Sequence, residues 1–274
     1  MKGTRADIRL VELGLAASRE RARSLIMGGT VYLKEVRVEK AGENVPMDCV
    51  LTLRENPNPF VSRGGLKLQK AVEKYGLDLE GAVALDVGAS TGGFTDCMLR
   101  HGARRVYAID VGYGQLDWRL RNDARVTVME RANARFMEPG WFDETPNFAS
   151  MDVSFISIRL ILPNLYACLD WDAAAVILVK PQFEAGRGKV GKNGVVRDRL
   201  VHQEVLREAI AFARQCGFSL LHADYSPITG PKGNIEFLMV LTKTAGCGGA
   251  LPPEGDDALA AFVAEAAHAD HEIV

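Results

Sequence analysis

Seven short apolar runs follow one another between residues 82 and 241, and most are separated by stretches of helical spacing. They read as strands at 82–87, 105–109, 126–129, 148–153, 174–179, 219–225 and 235–241. The strongest of them, Ala174–Val179, is apolar throughout rather than alternating, the pattern of a strand buried on both faces. Helices read at about 65–76, from the turn after the first strand to Gly102, and at 198–216, where Gly217 is the stop signal. Repeated β–α units of this kind predict an α/β fold: a parallel, doubly wound, Rossmann-like sheet with helices on both faces. A chain of 274 residues, 47% apolar and 25% charged, can fill such a core and still hold a second domain.

Upstream of residue 60 the pattern differs. Ala6–Leu13 has helical spacing, and Ser18 is a good N-cap for a helix over 19–27 that Gly28-Gly29 ends. Val31, Leu33, Val36 and Val38 alternate about Lys34-Glu35 as a hairpin, and 50–53 reads as a last strand. The expected layout is therefore a small α+β domain over 1–55, a stiff Asn/Pro linker over 56–61 and the α/β domain over 62–244. An acidic Gly/Pro/Ala-rich tail follows over 245–274, with a short helix that places Leu259, Phe262, Val263 and Ala266 on one face. The net charge of −2 is unevenly spread: residues 1–70 hold 13 Lys and Arg against 8 Asp and Glu, and the last 30 hold six acids and no Lys or Arg. That suits an N-terminus facing a polyanion and a solvated tail.

Several classes drop out. No run approaches the roughly 18–20 apolar residues of a membrane span, and the N-terminus lacks the apolar core of a signal peptide. Five scattered cysteines, at 49, 97, 168, 216 and 247, form no C-x-x-C pair. Neither a disulfide framework nor a zinc site is expected. A cytoplasmic protein without metal or membrane is the expectation.

The chemistry sits at strand ends. Asp86-Val-Gly88-Ala-Ser90-Thr-Gly92-Gly93-Phe94 joins the first strand to its helix, the place where open α/β sheets bind nucleotides. A dinucleotide fingerprint wants Gly where Ser90 stands. The spacing instead suits a backbone that approaches an uncharged or cationic adenosine derivative. Asp110 closes the second strand, where a carboxylate can take both ribose hydroxyls, and Asn133 after the third can sit near an adenine. S-adenosylmethionine fits this set best, with NAD or FAD as the alternative. Asp152 closes the fourth strand, Lys180 follows the fifth, Glu236 opens the last, and Lys67 lies on the helix before the sheet. A lysine crowded by a second ammonium or a sulfonium can act as general base toward a sugar hydroxyl. The loop 184–197 carries four glycines with Arg187, Lys189 and Lys192 and can clamp a phosphate backbone. His101, His202, His222, His268 and His271 lack ligand spacing and read as structural or solvated.

Taken together, the N-terminal pattern resembles the S4 RNA-binding module and the remainder resembles the FtsJ-like methyltransferases. Ser62–Lys67, Leu85–Phe94, Met151–Ser157, Val179–Glu184 and Gly233–Phe237 carry the likeness, which spans about residues 4–243. Joined in this order they resemble the TlyA / haemolysin A family of ribosomal RNA 2′-O-methyltransferases. The resemblance implies a catalytic set of Lys67, Asp152, Lys180 and Glu236. It also implies transfer of the methyl of S-adenosylmethionine to a cytidine 2′-hydroxyl of ribosomal RNA or a ribosomal subunit, and RNA contacts from Arg5, Arg19 and Arg23. Lys34-Glu35 departs from the Asn-Gly often found in S4 hairpins. The competing expectations are a membrane-active haemolysin, a non-catalytic S4 RNA-binding protein and a NAD-dependent oxidoreductase.

Overall fold

The run Val83–Val87 is buried at every position, which a strand achieves with neighbours on both edges and helices over both faces. That strand lies inside the sheet of the larger of two units into which the chain divides between Arg63 and Gly64. The structure, a computed structural model, describes residues 3–27, 29–34, 36–53, 58–244 and 255–271.

The first unit runs β1 (Gly3–Arg5), α1 (Ala6–Glu12), α2 (Arg19–Met27), β2 (Val31–Leu33), β3 (Val36–Arg37), β4 (Asn44–Pro46) and β5 (Leu51–Leu53). β2 pairs antiparallel with both β3 and β5, and β1 pairs with β4. The hairpin closes from Leu33 to Val36, with Lys34 in the left-handed region at φ 56°. Leu10, Ala22, Ile26, Val31, Val45 and Leu51 form its core. Gly28, Glu35 and the linker residues Asn56 and Pro57 lie outside the described residues.

The second unit contains α3 (Gly65–Tyr75), β6 (Val83–Val87), α4 (Gly93–Arg100), β7 (Arg105–Asp110), α5 (Trp118–Arg121), β8 (Val126–Glu130) and β9 (Phe148–Met151). It continues with α6 (Leu162–Cys168), β10 (Ala173–Val179), α7 (Pro181–Glu184), α8 (Arg199–Gln215), β11 (Ser219–Tyr225), β12 (Phe237–Lys243) and α9 (Asp256–Asp270). The seven strands form one sheet in the order β11-β12-β10-β9-β6-β7-β8. The α/β class expected from the sequence holds, with one correction. β12 runs antiparallel to both β10 and β11. Parallel pairing needs a crossover of a dozen or more residues, usually a helix. The connection 226–236 contains no helix and turns back directly.

The register brings the site together. Val179 pairs with Phe237, Ile177 with Met151, and Val87 with Met151. The residues just past β9 and β10 and just before β12 therefore share one edge. Asp152 and Glu236 lie immediately outside their strands rather than within them, because the last paired positions are Met151 and Phe237.

The tail helix α9 packs on α8, but through a different face than its spacing suggested. Ala260, Val263, Ala264 and Ala267 are buried, and Phe262 is exposed. Small side chains let the two helices approach closely, and a phenylalanine in that stripe would hold them apart. Residues 245–254 and 272–274 of the expected tail lie outside the described residues.

Candidate active site

A cavity of about 350 Å³ opens where the glycine-rich turn leaves β6. Gly88, Ser90, Asp110, Asn133, Asp152 and Ser154 are among the residues that line it. Gly88 has φ 86°, and a Cβ there would meet the carbonyl oxygen of Asp152 at 2.5 Å. The turn can press against the Asp152 backbone only as glycine. Ser90, itself at φ 48°, donates its backbone N–H to Asp110 Oδ2 at 2.8 Å, and Gly112 donates to Oδ1 at 2.7 Å. Asp110 is thus a carboxylate fixed at the cavity wall with lone pairs to spare. Asn133 caps the short turn after β8, accepting the Arg135 N–H at 3.1 Å.

Four residues of the glycine-rich motif stand behind the cavity rather than on its wall. Asp86 is fully buried and accepts hydrogen bonds from Thr95 Oγ1 at 2.6 Å and Ser150 Oγ at 3.2 Å. Burial pushes its carboxyl up to about 7 against the pull of those two hydroxyls, with nearby Asp152 adding to the rise. Gly92 has φ 95°, and a Cβ there would meet Leu120 Cδ1 at 2.3 Å. Gly93 and Phe94 begin α4 and are buried. These residues shape the turn. The wall itself contains two carboxylates, Asp110 and Asp152, and no basic side chain. That suits a cationic or neutral ligand and gives a pyrophosphate no cationic side chain.

At the edge defined by the strand register, Lys67, Asp152, Lys180 and Glu236 meet. Lys67 Nζ lies 2.6 Å from Glu236 Oε2 and 3.2 Å from Asp152 Oδ2. Lys180 Nζ lies 2.5 Å from Asp152 Oδ1 and donates to Ser154 Oγ at 2.9 Å. Burial alone would lower the Lys67 ammonium, but Asp152 and Glu236 outweigh it and raise it above the usual lysine value. Burial likewise pushes the Asp152 carboxyl up, and Lys67 and Lys180 overcome it, holding it below the usual carboxylate value. Two lysines and two carboxylates alternate around one buried point.

The basic residues fall in two places. In the first unit, Arg5, Arg19 and Arg23 converge on Asp7 at 2.9, 3.1 and 3.5 Å. The bond from Arg5 leads in holding Asp7 well below the usual carboxylate range, against the opposing effect of burial. In the second unit, Lys189 is ion-paired with Glu204, and Lys192 lines a hollow next to the cavity. The Arg187 side chain lies outside the described residues. Three other residues escaped the sequence reading. Asp7 organises the arginines, Ser154 holds Lys180, and Phe155 sits at φ 65° and is 92% exposed beside the cavity. Left-handed backbone at an aromatic residue is strained and typical of sites under functional constraint. Among the described residues no cluster of three or more His, Cys, Asp and Glu could hold a metal. Among them, too, no helix is long and apolar enough to cross a membrane.

With this geometry in hand, known proteins give a consistent picture. The model of the FtsJ-like methyltransferases matches residues 60–243. A Bacillus subtilis protein provisionally named rRNA methyltransferase YqxC is 52% identical over 241 residues, 88% of this chain and 86% of its own. The Mycobacterium tuberculosis 16S/23S rRNA (cytidine-2′-O)-methyltransferase TlyA is 43% identical over 242 residues, 88% of this chain and 90% of its own. A solved structure from Streptococcus thermophilus, provisionally named a hemolysin, superposes with a TM-score of 0.77 at 44% identity, covering 99% of this chain and 98% of that one.

Proposed function

This chain belongs to the FtsJ-like methyltransferase family, and on that premise we propose that it methylates a ribose 2′-hydroxyl, that of a cytidine, in ribosomal RNA. The observation that carries the reading is the buried Lys67–Asp152–Lys180–Glu236 cluster beside a cavity whose wall is free of basic side chains. The cofactor reading is S-adenosylmethionine, which supplies an activated methyl group on a cationic sulfur. The carboxylates of the wall favour that charge, and the phosphates of NAD or FAD would meet no basic side chain there. Asp110 would hold the ribose hydroxyls, the Gly88 and Ser90 backbone and Asn133 would frame the adenosine, and Asp86, Gly92, Gly93 and Phe94 keep the turn in shape.

Lys180 would take the proton of the ribose O2′ on its Nζ. Asp152 fixes that amine and balances its charge once it is an ammonium, Lys67 does the same for Asp152, and Glu236 orients Lys67. Alignment supplies most of the rate, since the methyl donor is already activated. The first unit, as an S4-like module, would present Arg5, Arg19 and Arg23 to RNA, with Arg187, Lys189 and Lys192 adding a second contact. Phe155 offers an exposed ring on which a base can stack. Lys67, Asp152, Lys180 and Glu236 meet within one chain, which suits action as a cytoplasmic monomer.

The test maps 2′-O-methyl groups in ribosomal RNA incubated with and without the enzyme and S-adenosylmethionine, alongside calorimetry with S-adenosylmethionine and NAD. The reading requires new methyl groups on cytidine ribose and binding of the first ligand only. Leakage of vesicles without RNA methylation would support the haemolysin alternative instead.

A further inference from the structure

The C-terminal helix α9 takes no part in the arrangement above, yet one of its residues enters a buried polar chain that ends beside Glu236. His202, on α8, is fully buried and engages both ring nitrogens. Its Nε2 faces the Val196 carbonyl at 3.1 Å, and its Nδ1 faces His268 Nε2 at 2.8 Å. A carbonyl only accepts, so Nε2 of His202 bears the hydrogen, Nδ1 offers its lone pair, and His268 is the donor. Burial, with His268 adding, lowers His202 to about 4, so one neutral tautomer persists at neutral pH.

Val196 passes the connection on. Its N–H donates to Asn234 Oδ1 at 3.0 Å, and Asn234 Nδ2 donates to the Gly194 carbonyl at 2.9 Å. The Asn234 carbonyl accepts the Gly230 N–H at 2.8 Å, closing the turn from which the chain enters β12. A Cβ on Gly230 would lie 2.7 Å from Glu236 Oε1, so this turn is packed directly on the catalytic carboxylate. Asn234 is 3% exposed, and its one carboxamide joins the end of the basic loop to the turn that delivers Glu236.

We propose that Asn234 is a positioning residue for methyl transfer and that α9, through His268 and His202, holds it in place. This rests on the methyl-transfer reading. The short Glu236–Lys67 pair leaves little room for displacement, and misplacement of about 1 Å in a catalytic array can cost roughly 100-fold in rate. A merely structural network would lower the melting temperature and leave turnover below it intact.

The test uses the full-length enzyme with ribosomal RNA and S-adenosylmethionine, assayed well below the melting temperature of each variant. Asn234→Ala should lower kcat by roughly 10- to 100-fold, leave the dissociation constant for S-adenosylmethionine unchanged and speed hydrogen exchange at the Val196 amide. His268→Ala, a milder change farther from the site, should lower kcat several-fold, and His268→Gln should restore it, because the glutamine amide can donate to the same lone pair. Wild-type kcat in both alanine variants, or a glutamine variant no better than alanine at 268, would overturn the proposal. A wild-type enzyme that transfers no methyl to RNA would overturn the underlying reading, and this inference with it.

Discussion

Each unit of the molecule builds a cationic cluster around one aspartate, and the two clusters differ in both chemistry and exposure. Around Asp7 the cations are arginines whose side chains remain 46, 52 and 55% exposed. Around Asp152 they are lysines, each 9% exposed. A guanidinium stays charged at every accessible pH and keeps donors free after pairing. The first cluster is therefore a fixed positive face, aimed at solvent. An ammonium can release its proton, and burial shields that event from water. On the proposed function, the second cluster would be the one that moves a proton. The same attraction thus holds exposed arginines in one unit and buried lysines in the other.

Removing the acid should separate the two roles. Asp152→Asn keeps the shape but leaves Lys67 and Lys180 without their shared charge, so methyl transfer should fall by about 10²–10³-fold in a single-turnover assay. Asp7→Asn should leave single-turnover chemistry on saturating RNA intact. Equal losses in both variants would break the comparison.

The cofactor side sharpens it next. Asp110→Ala should weaken binding of S-adenosylmethionine by about 1.5–3 kcal/mol, the usual worth of charged hydrogen bonds, with RNA affinity unchanged by filter binding. The arginine side is expected to be smaller. Arg19→Ala with Arg23→Ala should weaken RNA binding and reduce its salt slope by about 1 per residue. The affinity for S-adenosylmethionine should not move.

Asp86 supplies an internal control: a buried aspartate with hydroxyl partners and, among the described residues, no paired cation, raised to about 7. Its folded value lies above its unfolded one, so the stability it contributes is fully present below about pH 4 and is lost as pH rises through about 7. Asp86→Asn should flatten the decline in melting temperature between about pH 5 and about pH 8. An unchanged slope would show that Asp86 is not the titrating group.

Much of this was legible in the chain because strands buried on both faces must be apolar runs, and strand ends in such sheets carry ligands. Asp152, Lys180 and the glycine-rich turn stood out for that reason. The pairing of Lys67 with Glu236 did not, since 169 residues separate them and spacing says nothing at that range. Places at strand ends and on the helix before the sheet suggested Lys67, Asp152, Lys180 and Glu236 as a set around one pocket, and the likeness to a known family added the catalytic role. The direction of β12 was also hidden, because an apolar run reads the same in both directions. Asp7 drew no reading, because an acid in the first turn of a helix is ordinary and its burial depends on how the helices pack. Phe262 misled because hydrophobicity alone says nothing about how closely two helices must approach.

The central claim is that Lys180 accepts a proton rather than merely supplying charge. Lys180→Arg keeps the positive charge and can still pair with Asp152, but it cannot release a proton near neutral pH. The account predicts that this variant binds S-adenosylmethionine and ribosomal RNA normally and transfers no methyl group, matching Lys180→Ala in a single-turnover assay. Near-wild-type methyl transfer by Lys180→Arg would contradict it and move the base to Asp152 or Lys67.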